Sequence, residues 1–134
     1  MNPTDPTPVT ITPADTLRAA AHYLYRHGWT QEAYYEPMFN RPWPAADALG
    51  AIGMAVHGHD HDNPLSRDLP GWAEFSAAHD ALNTHLKRVC DLGTVPELIT
   101  IGDWNDLPEQ TVESVITVLR AAADEWDRIH GGAA

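Results

Sequence analysis

Apolar residues recur along most of this chain in steps of three and four, the spacing of helices that bury one face. The first such run holds Leu17, Ala20, Ala21, Leu24 and Gly28, with Arg18, His22 and Arg26 four apart on another face. Thr12, Pro13 and Asp15 form its start: a hydroxyl cap, a proline in the first turn and an acid facing the positive helix end. Gly28 is its stop, because glycine accepts the left-handed backbone beyond a helix. A second helix is predicted over 44–57, PAADALGAIGMAVH, where only Asp47 and the terminal His57 interrupt an apolar surface. Such a helix belongs at the centre of a bundle, with the others packed around it. Gly50 and Gly53 each weaken it by roughly 1 kcal/mol relative to alanine, so a neighbouring helix is expected to pass close to them.

The third helix, 71–89, places Trp72, Phe75, His79, Leu82, Leu86 and Val89 on one stripe. Gly93 and Pro96 lie beyond it, and 97–106 is ambiguous between a short helix and an extended segment. The last helix, 111–130, buries Val112, Val115, Ile116, Leu119, Ala122, Ala123 and Trp126. Arg120 with Asp124, and Asp124 with Arg128, form i,i+4 pairs on its outer side. The chain therefore predicts an all-α bundle of four main helices spanning 13–130. A flexible arm over 1–12 precedes it, and a frayed tail over 131–134 follows.

Between the first two helices lies WTQEAYYEPMFNRPW, residues 29–43, which lacks helical periodicity. Loops this long in a compact domain carry function or are packed by their own side chains. With Trp29, Tyr34, Tyr35, Phe39 and Trp43 it has too much apolar surface to stay in water, and a small hairpin is one form it could take. Trp29 and Trp43, at its two ends, are expected to anchor it. Tyr34 and Tyr35 are adjacent, so in extended backbone one faces inward and the other outward.

Length and composition bound the rest. At 134 residues the chain fits one domain with a real core. Cys90 is the lone cysteine and cannot form an internal disulfide, so nothing points to an oxidising compartment. No apolar run reaches the roughly 20 residues of a membrane span, and the N-terminus lacks a signal-peptide pattern, so a cytoplasmic protein is expected. The 19 acidic and 8 basic residues leave a formal charge of −11, a field that repels nucleic acid and could attract a basic partner or imitate a nucleic acid towards a protein that binds one. The plainer reading of that charge is solubility. Seven of the eight basic residues are arginine, as in proteins of GC-rich genomes.

Candidate chemistry is sparse. HGHDHDN brings His57, His59 and His61 together with Asp60 and Asp62, donors that suit zinc or nickel. In extended backbone those histidines stand roughly 6 to 7 Å apart, too wide for one ion unless Gly58 turns the chain. No second ligand pair at a recognised spacing completes a motif, so a polar helix-ending loop is the plainer reading. His79, on an apolar stripe, reads as a core histidine with a hydrogen-bond partner, and His22 as a surface residue. Trp104-Asn105-Asp106 reads first as structure, a tryptophan plugging the core while two short polar side chains bond nearby backbone. The functional alternative has Trp104 joining Trp29, Tyr34, Tyr35 and Trp43 around a pocket, with Gln31 or Asp106 as a polar hook. No phosphate loop, GxSxG elbow or HExxH is present. Cys90, beside Asp91 at a helix end, is a poor nucleophile.

HGWTQ at 27–31, ALGAI at 48–52, and WND at 104–106 followed by TVESVITVLRAA stand in an order similar to that of the actinobacterial domain-of-unknown-function family 6197. The resemblance covers about residues 13–124. It implies a genuine folded domain of the kind found in small actinobacterial and phage proteins, and it brings no catalytic residues with it. Family members often carry a cysteine just before ALGA, where this chain has PAAD.

The expected function is that of a small acidic accessory or interaction protein, non-enzymatic and without a cofactor, regulatory or phage-associated in character. Its partner would be another protein, with no nucleic acid or membrane, and a homo-oligomer is compatible with the sequence. The alternative is a small-molecule or metal-binding domain built on the aromatic loop and the His/Asp cluster, with enzymatic activity a further option.

Overall fold

The computed structural model describes residues 11–37, 43–58, 64–90 and 100–131. Five helices follow in order: α1 (Pro13–His27), α2 (Ala48–His57), α3 (Trp72–Cys90), α4 (Ile101–Asn105) and α5 (Val112–Ile129). The fold is all-α, four long helices with a short one inside the ambiguous 97–106 stretch. Extended pairing among the described residues is limited to two isolated bridges, Trp29 to Ala46 and Tyr35 to Ala46.

Side chains set the helix starts. The Thr12 hydroxyl accepts from the Asp15 N–H at 3.1 Å while the Asp15 carboxylate accepts from the Thr12 N–H at 3.0 Å. Thr111 and Ser114 repeat this exchange at α5, and Thr100 caps α4. Gly28 ends α1 at φ 100°.

The hub is α1 rather than α2, since α2, α3 and α5 all pack on it. The reason lies in its buried face, where Ala14, Ala20 and Ala21 sit beside Leu17 and Leu24 and let neighbouring backbones come close. The helix α2 is still enclosed from Ala48 to Met54. It begins four residues later than its composition predicts, because Pro44–Ala46 run extended against the loop. There Ala46 N–H donates to Gly28 O at 3.1 Å, and Thr30 N–H and Glu36 N–H donate to Ala46 O at 3.0 Å and Ala45 O at 2.8 Å.

The glycines of α2 are close-approach positions, but what approaches is not a helix. A Cβ on Gly50 would collide with the Tyr34 carbonyl, and one on Gly53 would press on Pro64 and the Tyr35 hydroxyl. The loop and the segment after α2 lie across that face.

Phe75, Leu82 and Leu86 of α3 and Val115, Ile116 and Leu119 of α5 are buried, as their spacing predicts. Trp72, Val89, Val112 and Trp126 are only half-buried at the stripe margins. The centre of the α3 stripe runs through Phe75, Ala78, Leu82 and Leu86, which leaves His79 at its edge. Its side chain is 33 % exposed and contacts Asp80 at 3.3 Å, so it is not the core histidine expected. The enclosed histidine is His85, whose Nδ1 lies 3.1 Å from Glu125 of α5. Arg88 also binds Glu125, and its guanidinium, with His85 adding, holds that carboxyl below the usual range against the opposing effect of burial. Asp124 does not pair within α5; Arg18 of α1 reaches it at 2.8 Å and Asp127 at 2.7 Å.

No described helix is long and apolar enough to cross a membrane. The candidate metal ligands His59, Asp60, His61 and Asp62 lie outside the described residues, as do Phe39, residues 1–10 of the arm and 132–134 of the tail. His57 is half-buried and stacks on Phe75, with ring centroids 6.3 Å apart. Among the described residues, no three His, Cys, Asp or Glu side chains converge as metal ligands.

Candidate functional site

The long loop is fixed along two edges. On one, the extended stretch before α2 pairs with it, and Asp47 N–H donates to Tyr34 O at 3.0 Å. On the other stands Asn105, the last residue of α4, with no exposed surface. Its Oδ1 accepts from the Trp29 indole N–H at 2.8 Å and from Ala48 N–H at 3.1 Å. Its Nδ2 donates to Thr30 O at 3.2 Å and to Asp106 Oδ1 at 3.1 Å. All four sites of the amide are used, and they join the loop, the start of α2 and α4 in one knot. Three of the four bonds are thus long-range, not the nearby-backbone contacts its sequence position suggests. Gln31 tightens the knot by donating to the carbonyls of Asn105 at 3.1 Å and Leu107 at 3.0 Å.

Beside this knot opens a cavity of about 420 Å³. The loop contributes Glu32, Ala33 and Tyr34, the N-terminal end of α2 contributes Asp47 and Leu49, and α4 contributes Ile101, Gly102 and Asp103. Asp106 follows α4 at the rim, while His79 and Leu65 close the remaining side. Glu32 has φ 67°, in the left-handed region that few non-glycine residues occupy. Its N–H thereby reaches Asp106 Oδ1 at 2.8 Å, and that bond holds the loop edge over the opening.

Electrostatically the cavity has one sign. Glu32, Asp47, Asp103 and Asp106 are all acidic, and no lysine or arginine is among the described lining residues. Asp47 is the deepest of the four, 5 % exposed, and caps α2 by accepting from Gly50 N–H at 2.6 Å. Burial pushes its carboxyl up to about 7, and the neighbouring charge of Asp106 adds to this, against the opposing Gly50 and Leu49 N–H groups. Leu49, Leu65 and Ile101 give the same cavity apolar walls. Acceptors at the bottom and rim with hydrocarbon between them suit a cationic head on an apolar stem.

The aromatic residues singled out from sequence do not share one pocket. Tyr34 and Asp106 border the cavity. Trp29 and Gln31 serve the knot, and Trp104 is a core residue, 3 % exposed. Tyr34 and Tyr35 are both half-buried rather than one in and one out, because the loop bends around α2 and Tyr35 packs on its glycines. Trp43 does not anchor the loop: it is 53 % exposed and stacks on His27, centroids 5.8 Å apart. Asp47, Glu32 and Asp103 escape a reading of the sequence. Asp47 alone carries a signal, since an acid directly before an apolar run, three residues ahead of an accessible N–H, is an N-cap pattern.

These features define a class: a small all-helical domain with an acidic cleft between a tied-down loop and two helix ends. The chain belongs to the family of unknown function DUF6197, whose model matches residues 8–125. No curated protein and no solved structure matches it.

Proposed function

We propose that this chain is a non-enzymatic interaction domain, cytoplasmic, whose acidic cleft receives a basic segment of a partner protein. The observation that carries this reading is the cavity of about 420 Å³ whose described polar wall combines four carboxylates with no lysine or arginine. Its size falls in the range of roughly 300 to 1,000 Å³ typical of binding pockets. The formal charge of −11 supports it at long range, since it steers cations toward the protein and disfavours nucleic acid. Loops held on a rigid scaffold are also where binding residues concentrate.

The test is titration with a blocked peptide of alternating glycine and arginine, beside a glutamine counterpart. Binding of the arginine peptide should weaken steeply with salt, as exposed charge pairs are screened within about 8 Å at physiological ionic strength. It should also weaken in Asp103→Asn. Equal affinity for the two peptides would end the proposal.

A further inference from the structure

Among the four carboxylates of the cleft, Asp47 differs in kind. Glu32, Asp103 and Asp106 are exposed and can be hydrated, whereas Asp47 is 5 % exposed. An ionised carboxylate so placed needs compensation, and burial without a counter-charge costs several kcal/mol. What Asp47 has is its own helix end: Gly50 N–H at 2.6 Å and the positive pole of α2. No described cationic side chain forms an ion pair with it. Helix capping alone does not require a charge here, because asparagine caps a helix about as well as aspartate.

The groups facing it come from every wall. The loop presents Glu32 and Tyr34, α4 and its end present Asp103 and Asp106, and α3 presents His79. Three of these five are acids, and the charge of Asp106, just beyond α4, opposes the ionised form of Asp47. Leu49, Leu65 and Ile101 supply hydrocarbon beside it. A bare metal ion would gain nothing from those walls, while the methylene stem of a lysine or arginine would cover them.

We propose, building on the interaction reading above, that Asp47 is the buried seat for one cationic side chain of the partner, which displaces a proton from Asp47 as it binds. An ammonium or guanidinium arriving in the cavity supplies the counter-charge that the fold leaves out. The proton passes from the Asp47 carboxyl to solvent, and an ion pair takes its place, so charge is conserved within the cavity. A carboxyl pushed up to about 7 makes this linkage act near neutrality.

Calorimetric titration of the intact chain with the blocked glycine–arginine peptide tests this, run in phosphate and in Tris from pH 6 to 8. The expected result is release of about one proton per peptide at pH 6 and almost none at pH 8, with affinity rising about tenfold across the range. Asp47→Asn keeps the cap and should abolish both the release and the rise. Histidine titrates near neutrality as a residue type, so His79→Gln is the control, and in it the rise must persist. Peptide binding with no proton release in the unaltered protein overturns the role of Asp47 and leaves the cleft standing. A rise lost in His79→Gln and kept in Asp47→Asn also overturns it. Absence of binding at every pH overturns the cleft itself, and this inference with it.

Discussion

Replacing Asn105 with alanine should unravel the region that frames the cleft, and the size of the loss can be worked from its four bonds. The Ala48 N–H, 3.1 Å from Oδ1, would lose its acceptor in a buried setting, and the Trp29 indole N–H, at 2.8 Å, in a half-buried one. Each such orphaned donor costs about 1 to 3 kcal/mol. The other two partners, Thr30 O and Asp106 Oδ1, are acceptors on a half-buried and an exposed residue and can turn to water. A small void where the amide stood adds roughly 1 kcal/mol. The expected loss is therefore about 3 to 7 kcal/mol, a large share of the roughly 5 to 15 typical of a domain. Urea unfolding followed by far-UV circular dichroism measures it, and the indole N–H resonance of Trp29 gives a local readout that should shift or broaden. Asn105→Asp should fare no better, since it sets a carboxylate oxygen against two acceptors. A loss under about 1 kcal/mol in Asn105→Ala would mean that the knot does not hold the loop.

Three further outcomes follow from the same geometry. Leu82, without exposed surface, should cost roughly 2 to 5 kcal/mol when cut to alanine, and a value below 0.5 would mean the wrong face of α3 has been placed inside. Gly50→Ala gains up to about 1 kcal/mol in helix propensity yet should destabilise by about 1 to 3, because its Cβ meets the Tyr34 carbonyl; a stabilised variant would show that the loop does not lie there. For Asp47 the sign follows from a folded-state carboxyl raised from 3.8 to about 7. The folded chain keeps a proton that the unfolded chain releases, so stability falls as pH rises from about 4 to 7 and is level above that. Asp47→Asn should therefore gain on the unaltered protein across that window, by up to about 4 kcal/mol, measured as the difference between two urea series; a constant difference with pH would contradict it.

The helices were legible because their signals are local. Steps of three and four, a Thr–Pro–Asp start and a glycine stop depend on residues that stay neighbours in the fold, and Phe75, Leu82 and Leu119 went where their spacing put them. The site was less legible because it is assembled by distant residues. Asn105 meets Trp29, Thr30 and Ala48 across more than fifty positions, and nothing in WND announces this. Asp47 looked like a blemish in an apolar helix, since the extended stretch that makes it a cap is set by pairing with the loop. Trp43 and His79 were misplaced for a common reason: aromatic character and spacing report the tendency to be buried, whereas neighbours decide whether room exists. The charge of the chain was visible at once, but its concentration around one cavity required the fold.

The central claim, that the acidic cleft is where a basic partner segment binds, is tested most directly by mapping. Amide resonances of the isotope-labelled chain can be followed as the blocked glycine–arginine peptide is added. The account predicts that the largest shifts fall on Glu32 to Tyr34, on Asp47 to Leu49 and on Ile101 to Asp106, with the outer faces of α1 and α5 unmoved. Shifts centred instead on the groove lined by Ala77, Trp126 and His130 would contradict it.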